Sequence, residues 1–141
     1  MSSIQEVAKR AGVGVGTVSR VINDSGYVSD KTRKKVEDVI AELNYKPNEL
    51  ARNLFRNRTN IVAVITPAIG NPYYATLCSE VESRLRKYGY KTMLCNTIGE
   101  ATNEEAYLEM LERNMVDGII TGTHTLDYSS YKKIRGPIVG F

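Results

Sequence analysis

The 141-residue chain is poor in the residues from which catalytic and metal sites are most often built. It has two cysteines, Cys78 and Cys95, and a single histidine, His124. The two cysteines fit no metal-ligand spacing, so no metal site is expected. They leave either one disulfide or two buried free thiols, the second reading going with a reducing cytoplasm. His124 has no evident partner, so no Ser/His/Asp or Cys/His nucleophile is legible. No apolar run approaches the length of a membrane span, and Met1-Ser2-Ser3-Ile4-Gln5-Glu6 lacks the basic-then-apolar pattern of a signal peptide. Internal repeats and low-complexity segments are also missing. The expectation is a cytoplasmic protein with no membrane partner, no cofactor and no enzymatic activity.

What is present is unevenly distributed. The net charge is only +3, yet residues 1–60 carry 11 Lys and Arg against 7 Asp and Glu, whereas residues 61–141 carry 8 against 9. Between Lys46 and Arg58, Glu49 alone opposes Lys46, Arg52, Arg56 and Arg58. A basic N-terminal part joined to a nearly neutral remainder suggests a polyanion as partner of the first segment. A solvated helix face explains the charge equally well.

Hydrophobic periodicity divides the chain at the same place. Residues 3–45 read as three short helices. Ser3 with Glu6 is a capping-box pattern, followed by Ile4, Val7, Ala8 and Ala11 at helical spacing, and Gly12 stops the helix. Ser29 or Asp30 caps the third helix, whose apolar stripe is Val36, Val39, Ile40 and Leu43. Residues 48–58, "NELARNLFRNR", are too short for a stable isolated helix and read as a basic linker that becomes helical on binding. From residue 61 the period changes. "IVAVI", "TMLCN", "GIIT" and "PIVGF" are strands alternating with helices, which implies a parallel sheet covered on both faces.

Between the first two helices lies "AGVGVGTVSRVIN", residues 11–23. Its three glycines do not form a dinucleotide fingerprint, because a helix and not a strand precedes them and the third glycine of the motif is missing. No lysine follows in the order a phosphate-binding loop needs. Two helices joined by a short glycine-containing turn describe a helix-turn-helix instead. At about 100° per residue, Val18, Val21 and Ile22 face inward, while Gly16, Ser19, Arg20 and Asn23 gather outside. Such a face suits a major groove, where Arg pairs with guanine, Asn with adenine and Ser with base or phosphate. An ordinary amphipathic surface helix is the commoner fate of the pattern, and the basic surroundings tip the balance.

Val7-Ala8, Ala11-Gly12-Val13 and Thr17-Val18-Ser19-Arg20-Val21-Ile22-Asn23, continued by "VSDKTRKKVEDVIAELNYKPNELARNL", resemble the DNA-binding head of the LacI/GalR family. Through "NPYYA", "YLEMLE" and "VDGII" the chain looks most like the sucrose- and ribose-operon repressors of that family. The resemblance implies an all-α three-helix helix-turn-helix head (1–47) with a hinge helix or linker (48–59). These would join an α/β parallel-sheet lobe of periplasmic-binding-protein type (60–141) that stops inside the first lobe of the effector domain. It implies a homodimeric repressor on a pseudo-palindromic, double-stranded operator, controlled by a small molecule such as a sugar or sugar phosphate. A DNA-bending architectural protein without sequence preference, and a nucleotide-dependent enzyme using the α/β part, are the rivals.

Carried over by position, the resemblance places Val15 and Gly16 at the operator-discriminating first turn of the second helix. Thr17 and Ser19 fall near phosphates, and Arg20 and Asn23 are directed at base or backbone. Ser3, Ile4, Tyr27, Ser29 and Thr32 match further groove and backbone positions. Asn48, Ala51 and Leu54, with Arg52 beside them, match the hinge residues at the minor groove, Leu54 as the wedge that opens the central base step. In the lobe, Tyr73 and Tyr74 follow the first strand and Gly122 and His124 the third, as effector contacts. Two positions depart from the family pattern. Gly14 stands where Ser usually caps the helix, at a cost of roughly a few tenths of a kcal/mol. Gly16 offers no side chain to a base.

Overall fold

Local chemistry sets the boundaries of the N-terminal helices in the computed structural model, which describes residues 2–123 and 125–141. Ser3 lies in extended backbone and its hydroxyl accepts from Glu6 N at 3.2 Å, starting α1 (Ile4–Ala11). Gly12, at φ 69°, ends that helix in the left-handed region where glycine is unstrained. α2 (Val15–Asn23) begins at Gly14 with no side-chain cap, and α3 (Asp30–Glu42) begins at Ser29, whose hydroxyl accepts from Thr32 N.

These helices close on Val7, Ala8 and Ala11 of α1, Val18 and Val21 of α2, and Val36 and Val39 of α3, all buried. Ile4, Val13, Ile22, Val28, Ile40, Leu43 and Tyr45 pack around them. The apolar stripes legible in the sequence are the faces that meet. Arg10 pairs with Glu42, tying the end of α1 to the end of α3.

α4 (Glu49–Arg56) is formed, where the sequence predicts a linker that folds on binding. Asn48 Oδ1 accepts from Leu50 N at 2.9 Å, and Arg52 pairs with Glu49 at 2.9 Å. Its acidic first turn and basic last turn also complement the helix dipole.

The chain divides into two compact units, Met1–Phe55 and Arg56–Phe141. The second contains β1 (Ile61–Thr66), α5 (Pro72–Lys87), β2 (Lys91–Asn96), α6 (Ala101–Glu112), β3 (Gly118–Thr121), α7 (Tyr128–Lys132) and β4 (Ile138–Gly140). The strands pair in parallel in the order β2-β1-β3-β4, with Val64 opposite both Leu94 and Ile120. Helices cross between strands because parallel neighbours need long connections. α5 packs on β2 and α6 on β3.

On the α6 side, Ala63, Ile65, Cys95 and Ile119 meet Leu108 and Leu111 in one core. On the α5 side, Cys78 is buried while Leu94 stays half exposed, so that face is covered incompletely. Both cysteines are free and buried, which settles the choice the sequence left open. Burial pushes both thiols up, that of Cys95 to about 11. α5 ends at Lys87, α6 starts at Ala101 and α7 ends at Lys132.

Candidate nucleic-acid interface

α2 owes its orientation to Val18 and Val21, which are buried among α1 and α3 and so turn the opposite face outward. On that face Gly16 and Arg20 are exposed, with Val15 partly so. A Cβ at Gly16 would meet nothing within 4 Å, so the position is open in every direction a side chain would take. Ser19 and Asn23 lie one turn apart and are half-buried. Asn23 Nδ2 donates to Ser19 O at 3.0 Å and to Ser19 Oγ at 3.3 Å. Its amide nitrogen is therefore turned toward Ser19 within the helix. Thr17 is half-buried at the start of the same helix.

The flanking candidates have mixed duties. Ser3 and Ser29 both use their hydroxyls as helix caps, and Ser29 Oγ also donates to Thr32 Oγ1 at 2.9 Å. Ile4 is half-buried against the core. Tyr27 is 86% exposed on the loop before α3. Residue types alone do not distinguish a capping serine from a phosphate-binding one, and these hydroxyls show why.

On α4, Leu54 is 84% exposed and Leu50 79%, with Phe55 also exposed. Leu54 takes no part in the core of the first unit. Asn48 caps the helix, Ala51 is exposed, and Arg52 is held by Glu49. The Arg52–Glu49 pair is a solvent-facing contact between neighbouring turns, worth at most about 1 kcal/mol, and a phosphate competes with it readily.

In the second unit, strand order reverses at β1: β2 lies on one side of it, β3 on the other. Ligands in open parallel sheets bind beyond the carboxyl ends of strands at such a reversal. The loops after β1 and β3 flank it. Tyr73 and Tyr74 occupy the first turn of α5, capped by Asn71, with their rings edge-to-face at 5.0 Å. Tyr73 is 64% exposed. Gly122 follows β3, and a Cβ there would lie 2.3 Å from Phe141 Cζ, so the ring of Phe141 already fills the space beside it. His124 lies outside the described residues.

Two residues were not singled out by sequence reasoning. Glu104 is fully buried, yet it accepts from Thr125 N at 3.2 Å, from Thr125 Oγ1 and from Tyr131 Oη. It anchors the loop that leaves β3 to α6 and α7. Asp117, just before β3, accepts from Thr59 N at 2.8 Å, Thr59 Oγ1 at 2.9 Å and Asn60 N at 2.9 Å. It fixes the chain as it enters β1. Among the described residues no three His, Cys, Asp or Glu side chains gather to hold a metal ion, and no helix is long and apolar enough to cross a membrane.

A buried-valine helix-turn-helix head followed by a parallel α/β lobe defines a chain of two-part construction. The bacterial regulatory proteins of the lacI family match residues 3–48, and the periplasmic binding proteins and sugar binding domain of the LacI family match residues 59–136; the chain belongs to this family. It is 44% identical to the sucrose operon repressor of Streptococcus mutans over the whole chain, and 39% identical to the ribose operon repressor of Bacillus subtilis over 99% of it. It spans 44% and 43% of those two relatives' lengths. The lac repressor dimer bound to operator and the anti-inducer ONPF superposes with a TM-score of 0.81 at 28% identity, over 99% of this chain and 44% of that one.

Proposed function

We propose that this is a sequence-specific DNA-binding transcriptional repressor of the cytoplasm, acting as a homodimer on a pseudo-palindromic operator and controlled by a sugar or sugar phosphate. The observation that carries the reading is the outer face of α2, where Arg20 is exposed opposite buried Val18 and Val21. The names of the sucrose and ribose operon repressors support the effector class. Regulation by binding needs no turnover, and the reading assigns no enzymatic role.

In this mechanism α2 enters the major groove and Arg20 reads a base pair through its planar, two-donor fork. Val15 contributes apolar contact, while Gly16 contributes backbone alone. Thr17, Ser19, Tyr27 and Thr32 position the head on phosphates, as do the helix-capping hydroxyls of Ser3 and Ser29 where they are shared. Asn48, Ala51 and Leu54 enter the minor groove, and Leu54 wedges the central step, an unstacking that costs roughly a few kcal/mol and is offset by contacts the bend permits. Tyr73, Tyr74, Gly122 and His124 are assigned to the effector. Operator and effector then influence each other's affinity reciprocally.

A second reading, DNA bending without sequence preference, is favoured by the exposed Leu50, Leu54 and Phe55 on a basic helix. The division of labour separates the two. Arg20→Ala should flatten discrimination among duplexes, whereas Arg52→Ala should weaken all duplexes alike and reduce the salt slope by about 1. Titrations of both variants at several salt concentrations give the answer, and an equal, sequence-independent loss in both would support the bending protein.

A further inference from the structure

The turn that follows α2 makes a contact with Arg20 that the mechanism above leaves unused. Asp24, at φ 50°, caps the C-terminus of α2, and Ser25 N donates to Arg20 O at 3.0 Å. Asp24 is paired with Arg33 of α3 at 3.4 Å, which fixes the turn to the body of the head. Gly26 comes next, at φ +65°. A Cβ at Gly26 would stand 3.3 Å from Arg20 Cδ, 3.4 Å from Nε and 3.6 Å from Cγ. The stem of Arg20 thus lies against the glycine, and the guanidinium leaves the helix along the path this turn permits.

We infer that Gly26 is a specificity-determining position that acts through Arg20, by setting where its guanidinium meets the base pair. The inference rests on Arg20 being a base reader. A bidentate pair needs both N–H donors at hydrogen-bond distance together, so its tolerance for displacement is small. A Cβ at Gly26 displaces the stem by a few tenths of an ångström, and a longer side chain displaces it further. Gly16 sharpens the dependence. With no side chain at that neighbouring reading position, a shift of Arg20 has nothing beside it to compensate.

Backbone strain and contact with Arg20 are separable at this site. Asparagine tolerates positive φ better than other L-residues with a Cβ, so Gly26→Asn keeps the turn while crowding Arg20. Gly26→Ala, which adds the Cβ alone, is the second variant, and the reading uses whichever of the two retains the unfolding midpoint of the parent chain. Base preference is measured with the full chain, by competition among duplexes changed one base pair at a time from a preferred sequence selected from a randomised pool. The same is done for Arg20→Ala and for the double variant.

The expected result is a loss of discrimination in the Gly26 variant confined to the base pairs that Arg20→Ala also affects, between about fivefold and about a hundredfold. In the Arg20→Ala background the Gly26 substitution should add nothing. An equal loss on every duplex, or the same change in preference with Arg20 absent, overturns the inference. If Arg20→Ala leaves every base preference intact, the reading of Arg20 falls, and the role of Gly26 falls with it. That outcome is distinct from one in which Arg20 discriminates and Gly26 does not.

Discussion

At the scale of single residues, the three glycines between α1 and α2 do three different things. Gly12 sits at φ 69° and closes a helix, Gly14 opens the next with its carbonyl alone, and Gly16 is an exposed helical position with open space around it. Their substitutions should differ accordingly. Gly12→Ala should destabilise the head by about 1–2 kcal/mol, the price of a Cβ in the left-handed region. Gly16→Ala should stabilise it, by up to about 1 kcal/mol, since it gains helix propensity and meets nothing. Urea unfolding followed by circular dichroism reads both. The cysteines offer a second test at this scale. Cys95 is buried and its thiol is pushed up to about 11 from 9.0. Between those values the unfolded chain has lost a proton that the folded chain keeps. Stability of the second unit should therefore be unaffected by Cys95 below pH 9 and fall as pH rises from 9 to about 11. A Cys95→Ala variant compared over the same range should lose that component of the pH dependence.

At the scale of elements, much was legible because it depends on local pattern. Ser3 and Gly12 announce their helix ends by residue type, Ser29 or Asp30 marks the start of the third helix, and the change from helical to strand periodicity at Ile61 announces the lobe. The strands followed because β-branched runs separated by helical stripes admit little else. What was not legible depends partly on contacts between residues far apart in sequence, as at Glu104 and Asp117, and partly on local bonds that residue type does not announce. Glu104 reads as an ordinary acidic residue in the first turn of a helix, yet it is buried under Thr125 and Tyr131. Asn23 reads as a groove-facing amide, yet its donor is taken by Ser19, because a side chain one turn back competes with any external partner. α4 is formed through its cap and charge pair, which a count of its length overlooks. Asp117 belongs with these, 57 and 58 residues from its partners. Asp117→Ala removes three hydrogen bonds at the start of β1 and should destabilise the second unit by about 1–3 kcal/mol. Hydrogen exchange at Thr59 and Asn60 should accelerate first. Unchanged exchange there would show that the carboxylate is dispensable.

At the scale of the whole chain, the two units carry different kinds of chemistry. The first presents the outer face of α2 with exposed Arg20, and a basic α4 with exposed Leu50, Leu54 and Phe55. The second presents aromatic residues after β1 and a glycine after β3, on either side of the strand-order reversal. In the proposed function, attraction to phosphates supplies binding that is independent of sequence. In the proposed function, sequence preference comes from the few side chains that reach base edges, and with Gly16 bare that role is assigned to Arg20 and Val15. The direct measurement is the ratio of affinities for a duplex selected from a randomised pool and for random duplex of the same length, at one fixed salt concentration. A sequence-reading repressor should bind the selected duplex about a thousandfold or more tightly. Equal affinity for the two would contradict the account and leave a DNA-bending protein in its place.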